Sequence, residues 1–143
     1  MLPEPLCEPF VRAKSIVSRY VALLPQAALL DFMESGEFGR HLRRMRERYA
    51  ERHQALVEAL ASELPSVRVA GGAAGLELSV WLPEKLQEAR ATELLRQAEI
   101  YVQTLGEHRL RKSAQGGLLL GFAAFSARRM RSHVGEMRRA LNL

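Results

Sequence analysis

The chain has 143 residues, of which 48% are hydrophobic and 26% charged, with a formal net charge of +5. That length favours one domain over 1–143, able to bury roughly 70% of the surface it exposes unfolded, and the apolar share argues against wholesale disorder. The positive balance permits an acidic partner without requiring one.

"LPEPLCEPFVRAKSIVSRYVALL" opens with Pro3, Pro5 and Pro9. Proline suits a first helical turn, because the N–H it lacks is one a helix start leaves unpaired. The spacing of Phe10, Ala13 and Val17 predicts a helix from about Pro5 to Tyr20. Pro25 interrupts it, and a second helical piece covers Gln26 to Glu34. Ser35-Gly36 then punctuates: glycine ends one helix and serine can cap the next. Phe38, Leu42, Met45, Tyr49, Leu56 and Leu60 mark one face of a long helix from about Glu37 to Leu64, stopped by Pro65.

Val67 and Val69 alternate with Arg68, as in a short strand. Gly71 and Gly72 turn the chain into a second strand, where Leu76, Leu78 and Val80 alternate with Glu77, Ser79 and Trp81. A helix from Glu84 to Ala98 follows. "EIYVQTL" reads as a third strand, "GEHRLRKSAQGG" as a polar, basic loop, and "LLLGFA" as a fourth strand. Ser126 caps a last helix whose Met130, Val134, Met137 and Leu141 share a face. The order α-α-α, β-β-α, β-β-α implies an α+β fold, with a small, mostly antiparallel sheet and helices packed mainly on one face.

Cys7 has no second cysteine to pair with, which fits a reducing, cytoplasmic compartment. No apolar run approaches the ~18 residues of a membrane span. The N-terminus, with Glu4 and Glu8, lacks the basic and apolar regions of a secretion signal. None of His41, His53, His108 and His133 lies four residues from another, so a clustered metal site is not expected. "GGAAG" is followed by no Lys-Ser or Lys-Thr and is not a phosphate loop. The arginines of "RHLRRMRERYAER", Arg40 to Arg52, could release counterions on DNA. They surround the apolar stripe on several sides, which reads as a solvated face with Glu47 and Glu51 paired to arginines a turn away. His108, Arg109, Arg111 and Lys112 crowd one loop. Two readings stand for it: a place that holds an anion, or an exposed basic loop.

Together the quoted segments resemble the C-terminal part of the aminotransferase-like domain of MocR-type, GntR-family transcriptional regulators. "ESGEFGRHLRRMRERYAERHQAL" is the most specific; "GLELSVWL" resembles the next strand pair, and "GGLLLGFAAFS" with "VGEMRRAL" the closing strand and helix. The resemblance implies a parent protein with pyridoxal 5'-phosphate (PLP) as cofactor. In it, the lysine that holds PLP lies upstream of this segment, and neither Lys14 nor Lys112 stands in the family's Ser-x-x-Lys setting. No catalytic residue, metal ligand or covalently held cofactor is then expected within these 143 residues.

The implied partners are the large PLP-binding subdomain of the same parent and a second copy in a homodimer. DNA would be met only through a further N-terminal domain. In aminotransferases the last strand commonly presents an arginine three residues before the phenylalanine, to grip the substrate carboxylate. Here that position is Leu119, which offers no donor. Arg109, Arg111 and Leu119 are therefore the ligand-site candidates. Leu24, Pro25 and Gln26 are candidates for contact with the partner subunit, or a helix break among core residues. Two further classes remain: the small domain of a class I/II aminotransferase, and a stand-alone basic nucleic-acid-binding domain.

Overall fold

The computed structural model describes residues 2–18, 20–70, 75–110 and 115–143. The chain divides into two compact units, Met1–Arg43 and Arg44–Leu143, with the boundary inside the longest helix.

The first unit holds α1 (Glu4–Val17), α2 (Leu23–Glu34) and the start of α3 (Glu37–Glu63). α1 ends three residues before the expected Tyr20. Pro25 lies inside the first turn of α2, where its missing N–H costs nothing, so it begins the second helix and does not interrupt the first. Ser35 caps the end of α2, and its hydroxyl donates to the Phe32 carbonyl at 3.2 Å, so it does not cap α3 as expected. Gly36 takes φ of +77°, a left-handed conformation in which glycine carries no side-chain penalty. Phe32 packs edge-on against Phe38 across this turn, with centroids 6.0 Å apart.

The second unit contains β1 (Arg68–Ala70), β2 (Glu77–Trp81), α4 (Glu88–Gln97), β3 (Gln103–Thr104), β4 (Gly117–Gly121) and α5 (Ala127–Leu141). The four strands form one antiparallel sheet in the order β1-β2-β4-β3. This is the expected α+β class.

Register decides which side chains are buried. Val80 pairs with Val69 and Leu118, and Leu78 pairs with Leu120, so these apolar residues share one face. Leu56, Leu60, Ala91, Leu95, Met130 and Val134 pack against that face from α3, α4 and α5. Ser126 caps α5 as expected, its hydroxyl accepting from the Arg129 N–H at 3.4 Å. The glycine pair Gly71 and Gly72 lies outside the described residues.

In the second unit two boundaries differ most from the sequence reading. α4 starts at Glu88, not Glu84: residues 83–86 form a turn, with the Leu86 N–H bonded to the Pro83 carbonyl, and Gln87 is extended. β3 is only two residues long. Glu99 sits at φ +60° behind α4, and the Ile100 N–H returns to the Leu95 carbonyl at 2.9 Å. That helix-closing bond occupies a group the expected longer strand would have needed for pairing.

Candidate functional site

The sheet face opposite the core carries Ser79 and Trp81 of β2, with Gly117 and Leu119 of β4 paired to them. Arg68 pairs with Trp81, and Gln103 with Leu119. Alternation in the strands thus gathers one indole, one guanidinium and one leucine on a shared surface.

Arg109 follows the short 3-10 turn Gly106–His108. Its guanidinium lies over the Trp81 ring, 4.6 Å from the centroid, while that of Arg68 lies at 5.9 Å. Both are within cation–π range. Arg109 Nη1 donates to the Gln115 carbonyl at 3.0 Å, and Nη2 is buried without a hydrogen-bond partner among the described residues. A guanidinium takes a carboxylate through a fork of two parallel N–H donors, and here Nη1 is engaged by the backbone while Nη2 is buried.

The turn beneath Arg109 is built by local bonds. The Thr104 N–H donates to Glu107 Oε2, and the Glu107 N–H donates to Thr104 Oγ1, both at 3.3 Å. Such a reciprocal pair fixes a turn as a capping box does. His108 Nε2 lies 3.2 Å from Gln103 Oε1. Glu88 approaches from the first turn of α4, its Oε1 accepting from the Gly117 N–H at 2.7 Å. A Cβ on Gly116 would come within 2.8 Å of Glu88 Cγ, so this close approach requires glycine.

The structure therefore puts Leu119 and the Trp81–Arg109 pair on one surface. Leu119 is half-buried. Arg111 lies outside the described residues. Leu24, Pro25 and Gln26 belong to the other unit and are exposed in the first turn of α2, Leu24 by 85%. Trp81, Arg68 and Glu88 were not singled out from sequence. The signal for Trp81 was its place on the polar side of an alternating strand; nothing local marked the other two.

Arg40, Arg43, Arg44, Arg46 and Arg48 of α3 are exposed, as the solvated-face reading expects, but the ion pairs differ from those expected. Glu37 pairs with Arg40 at 2.6 Å, but among the described residues neither Glu47 nor Glu51 pairs with an arginine. Arg52 is half-buried and donates to the Ala123 carbonyl. No group of three or more metal-ligating side chains occurs among the described residues. Nor is any described helix long and apolar enough to cross a membrane.

No protein-family profile matches the chain. It is 30% identical over 141 residues to the probable rhizopine catabolism regulatory protein MocR of Rhizobium meliloti, covering 98% of this chain and 29% of that protein. It is 26% identical to the uncharacterised HTH-type transcriptional regulator YhdI of Bacillus subtilis (strain 168), covering 98% of this chain and 30% of YhdI. The chain thus spans under a third of the length of these relatives. Its fold matches LysN, an α-aminoadipate aminotransferase from Thermus thermophilus, with a TM-score of 0.82 and 24% identity, over 99% of this chain and 36% of LysN. A multiple substrate aminotransferase from Thermococcus profundus matches with a TM-score of 0.80 and 20% identity, over 91% and 32% of the two chains. Sequence and fold converge: the chain is similar over nearly its whole length to a segment of MocR-type, GntR-family regulators, and it has the α+β fold of an aminotransferase small domain.

Proposed function

We propose that these 143 residues are the C-terminal subdomain of a PLP-dependent, MocR-like transcriptional regulator, which closes over an effector bound on a larger PLP-holding subdomain. The observation that carries this reading is the 30% identity to a MocR protein across 98% of the chain. Two structural features support it. α1 and α2 bury none of their residues, leaving Val17, Leu23 and Leu24 at least 77% exposed, as expected of helices that pack on further protein. Arg109 lies over Trp81 beside Leu119, its Nη2 without a partner among the described residues.

The described residues do not form a cradle for PLP by themselves. Lys14 and Lys85 are exposed and line no described cavity. PLP would be held by the rest of the parent, and DNA by a separate reader domain. Bound there, PLP would supply an electrophilic carbonyl for an effector's amine. This chain's own part is to bind and cover the effector. Arg109 is the candidate cation for a carboxylate, with its guanidinium held over the Trp81 ring. Leu119, where aminotransferases commonly present an arginine, contributes only apolar surface. Arg111 remains a second candidate cation. Leu24, Pro25 and Gln26 would meet the partner subunit of a homodimer in the cytoplasm.

Closure carries a signal to a DNA reader only if the effector binds the closed state more tightly than the open one. The test is amino-acid binding to the PLP-loaded, full-length parent. Arg109→Ala is expected to weaken binding about tenfold or more, as loss of a charge-assisted pair does. Unchanged affinity removes Arg109 from the site. A second reading, the small domain of a true aminotransferase, is favoured by the fold neighbours alone. It predicts transamination turnover by the parent and no dedicated DNA reader.

A further inference from the structure

A cavity of about 260 Å³ opens on the core side of the sheet, away from Trp81 and Leu119. Its wall is mostly apolar, from Leu56, Ile100, Leu120, Met130 and Met137. Exposed Glu99 and Tyr101 line it too.

One lining residue, His133, brings a hydrogen-bonding group into this apolar surround. Its Nδ1 lies 3.0 Å from Glu136 Oε2. An ionised carboxylate can only accept, so the ring hydrogen sits on Nδ1. When the ring is neutral, Nε2 is then a lone-pair acceptor. It is buried and has no hydrogen-bond partner among the described residues. Phe125 packs edge-on against the imidazole, with centroids 5.1 Å apart. Phe125, which also lines the cavity, is 39% exposed in the turn between β4 and α5.

We propose that this cavity binds a small flat aromatic molecule carrying one hydrogen-bond donor, of the phenol or indole type. An apolar cavity of about 150 Å³ holds benzene, so the larger space here has room for a ring with a substituent or a fused second ring. Met130 and Met137 offer flexible, polarisable surface to an aromatic face. The donor of the ligand closes on His133 Nε2, the acceptor left open by the Nδ1–Glu136 bond. The proposal is independent of the regulator reading, because it uses neither PLP nor the surface around Arg109.

The test is calorimetric titration of the full chain with indole, phenol and benzene. Indole and phenol are expected to bind, with phenol about threefold to tenfold tighter than benzene, the worth of one neutral hydrogen bond. His133→Leu should reduce that ratio to near one while benzene still binds. His133→Gln, which keeps an acceptor, should retain part of it. If His133→Leu fails to fold, the imidazole nitrogen resonances of the unaltered chain serve instead: Nε2 should shift with phenol and not with benzene. Absence of indole binding at millimolar concentration, a phenol preference that survives His133→Leu, or an Nε2 resonance indifferent to phenol would each overturn the proposal.

Discussion

Glu88 and Gly117 are joined by one bond: the carboxylate at the start of α4 accepts from the first backbone N–H of β4 at 2.7 Å. It links the helix layer to the strand that carries Leu119, and it lies against Gly106 and Gly116 on the chain leading to and from Arg109. Glu88 is half-buried, so its removal leaves a poorly hydrated N–H. Glu88→Ala is expected to cost about 1.5–3 kcal/mol, the range for a hydrogen bond to a charged group. Urea unfolding measures it; a change below about 0.5 kcal/mol would show that the bond holds nothing in place.

Trp81 is the only tryptophan, so its fluorescence reports on the Arg109 contact directly. Arg109→Ala should change the intensity and wavelength of its emission. It should lower stability by about 0.5–2 kcal/mol, the span for exposed to desolvated cation–π pairs. An emission spectrum identical to that of the unaltered chain would mean that the guanidinium does not cover the ring in solution.

The two units predict opposite responses to leucine truncation. Leu60 is 1% exposed within the core cluster, and Leu60→Ala should cost about 2–5 kcal/mol. Leu24 is 85% exposed, and Leu24→Ala should change the stability of this chain by less than about 0.5 kcal/mol. In the full-length parent the Leu24 variant should be costly, if α2 packs there on the partner subunit. Thermal unfolding of both proteins, with and without each substitution, gives the comparison.

Glu136 supplies a pH dependence. The His133 hydrogen bond holds its carboxyl below the ordinary value of 4.5. A depressed carboxyl pKa means that the folded state favours the charged form. The stabilisation is therefore fully present above pH 4.5 and is lost as pH falls through the lower folded value. The side chain is 40% exposed, so the effect is small and weakens with salt. Glu136→Gln should flatten the acid limb of the stability profile. An unaltered acid limb would rule out this contribution.

Much of the fold is legible because its signals are local and periodic. Met130, Val134, Met137 and Leu141 mark the buried face of α5, and Ser126 caps it, as their spacing implies. The alternation from Leu76 to Trp81 gives both faces of β2. What the sequence conceals is set by contacts between distant residues. The late start of α4 accompanies the extended Gln87 and the Glu88 bond to β4. The pairing of Trp81 with Arg109 depends on a turn built by Thr104 and Glu107. The exposed helices α1 and α2 read as ordinary amphipathic segments, because periodicity marks an apolar face without naming what covers it.

The most direct test of the closing-subdomain account is visible absorbance of the parent protein titrated with PLP. The account predicts a band that disappears when a lysine upstream of this segment is replaced. It should persist in Lys14→Ala, Lys85→Ala and Lys112→Ala. A band that survives loss of every upstream lysine, or that vanishes with one of these three, would contradict it.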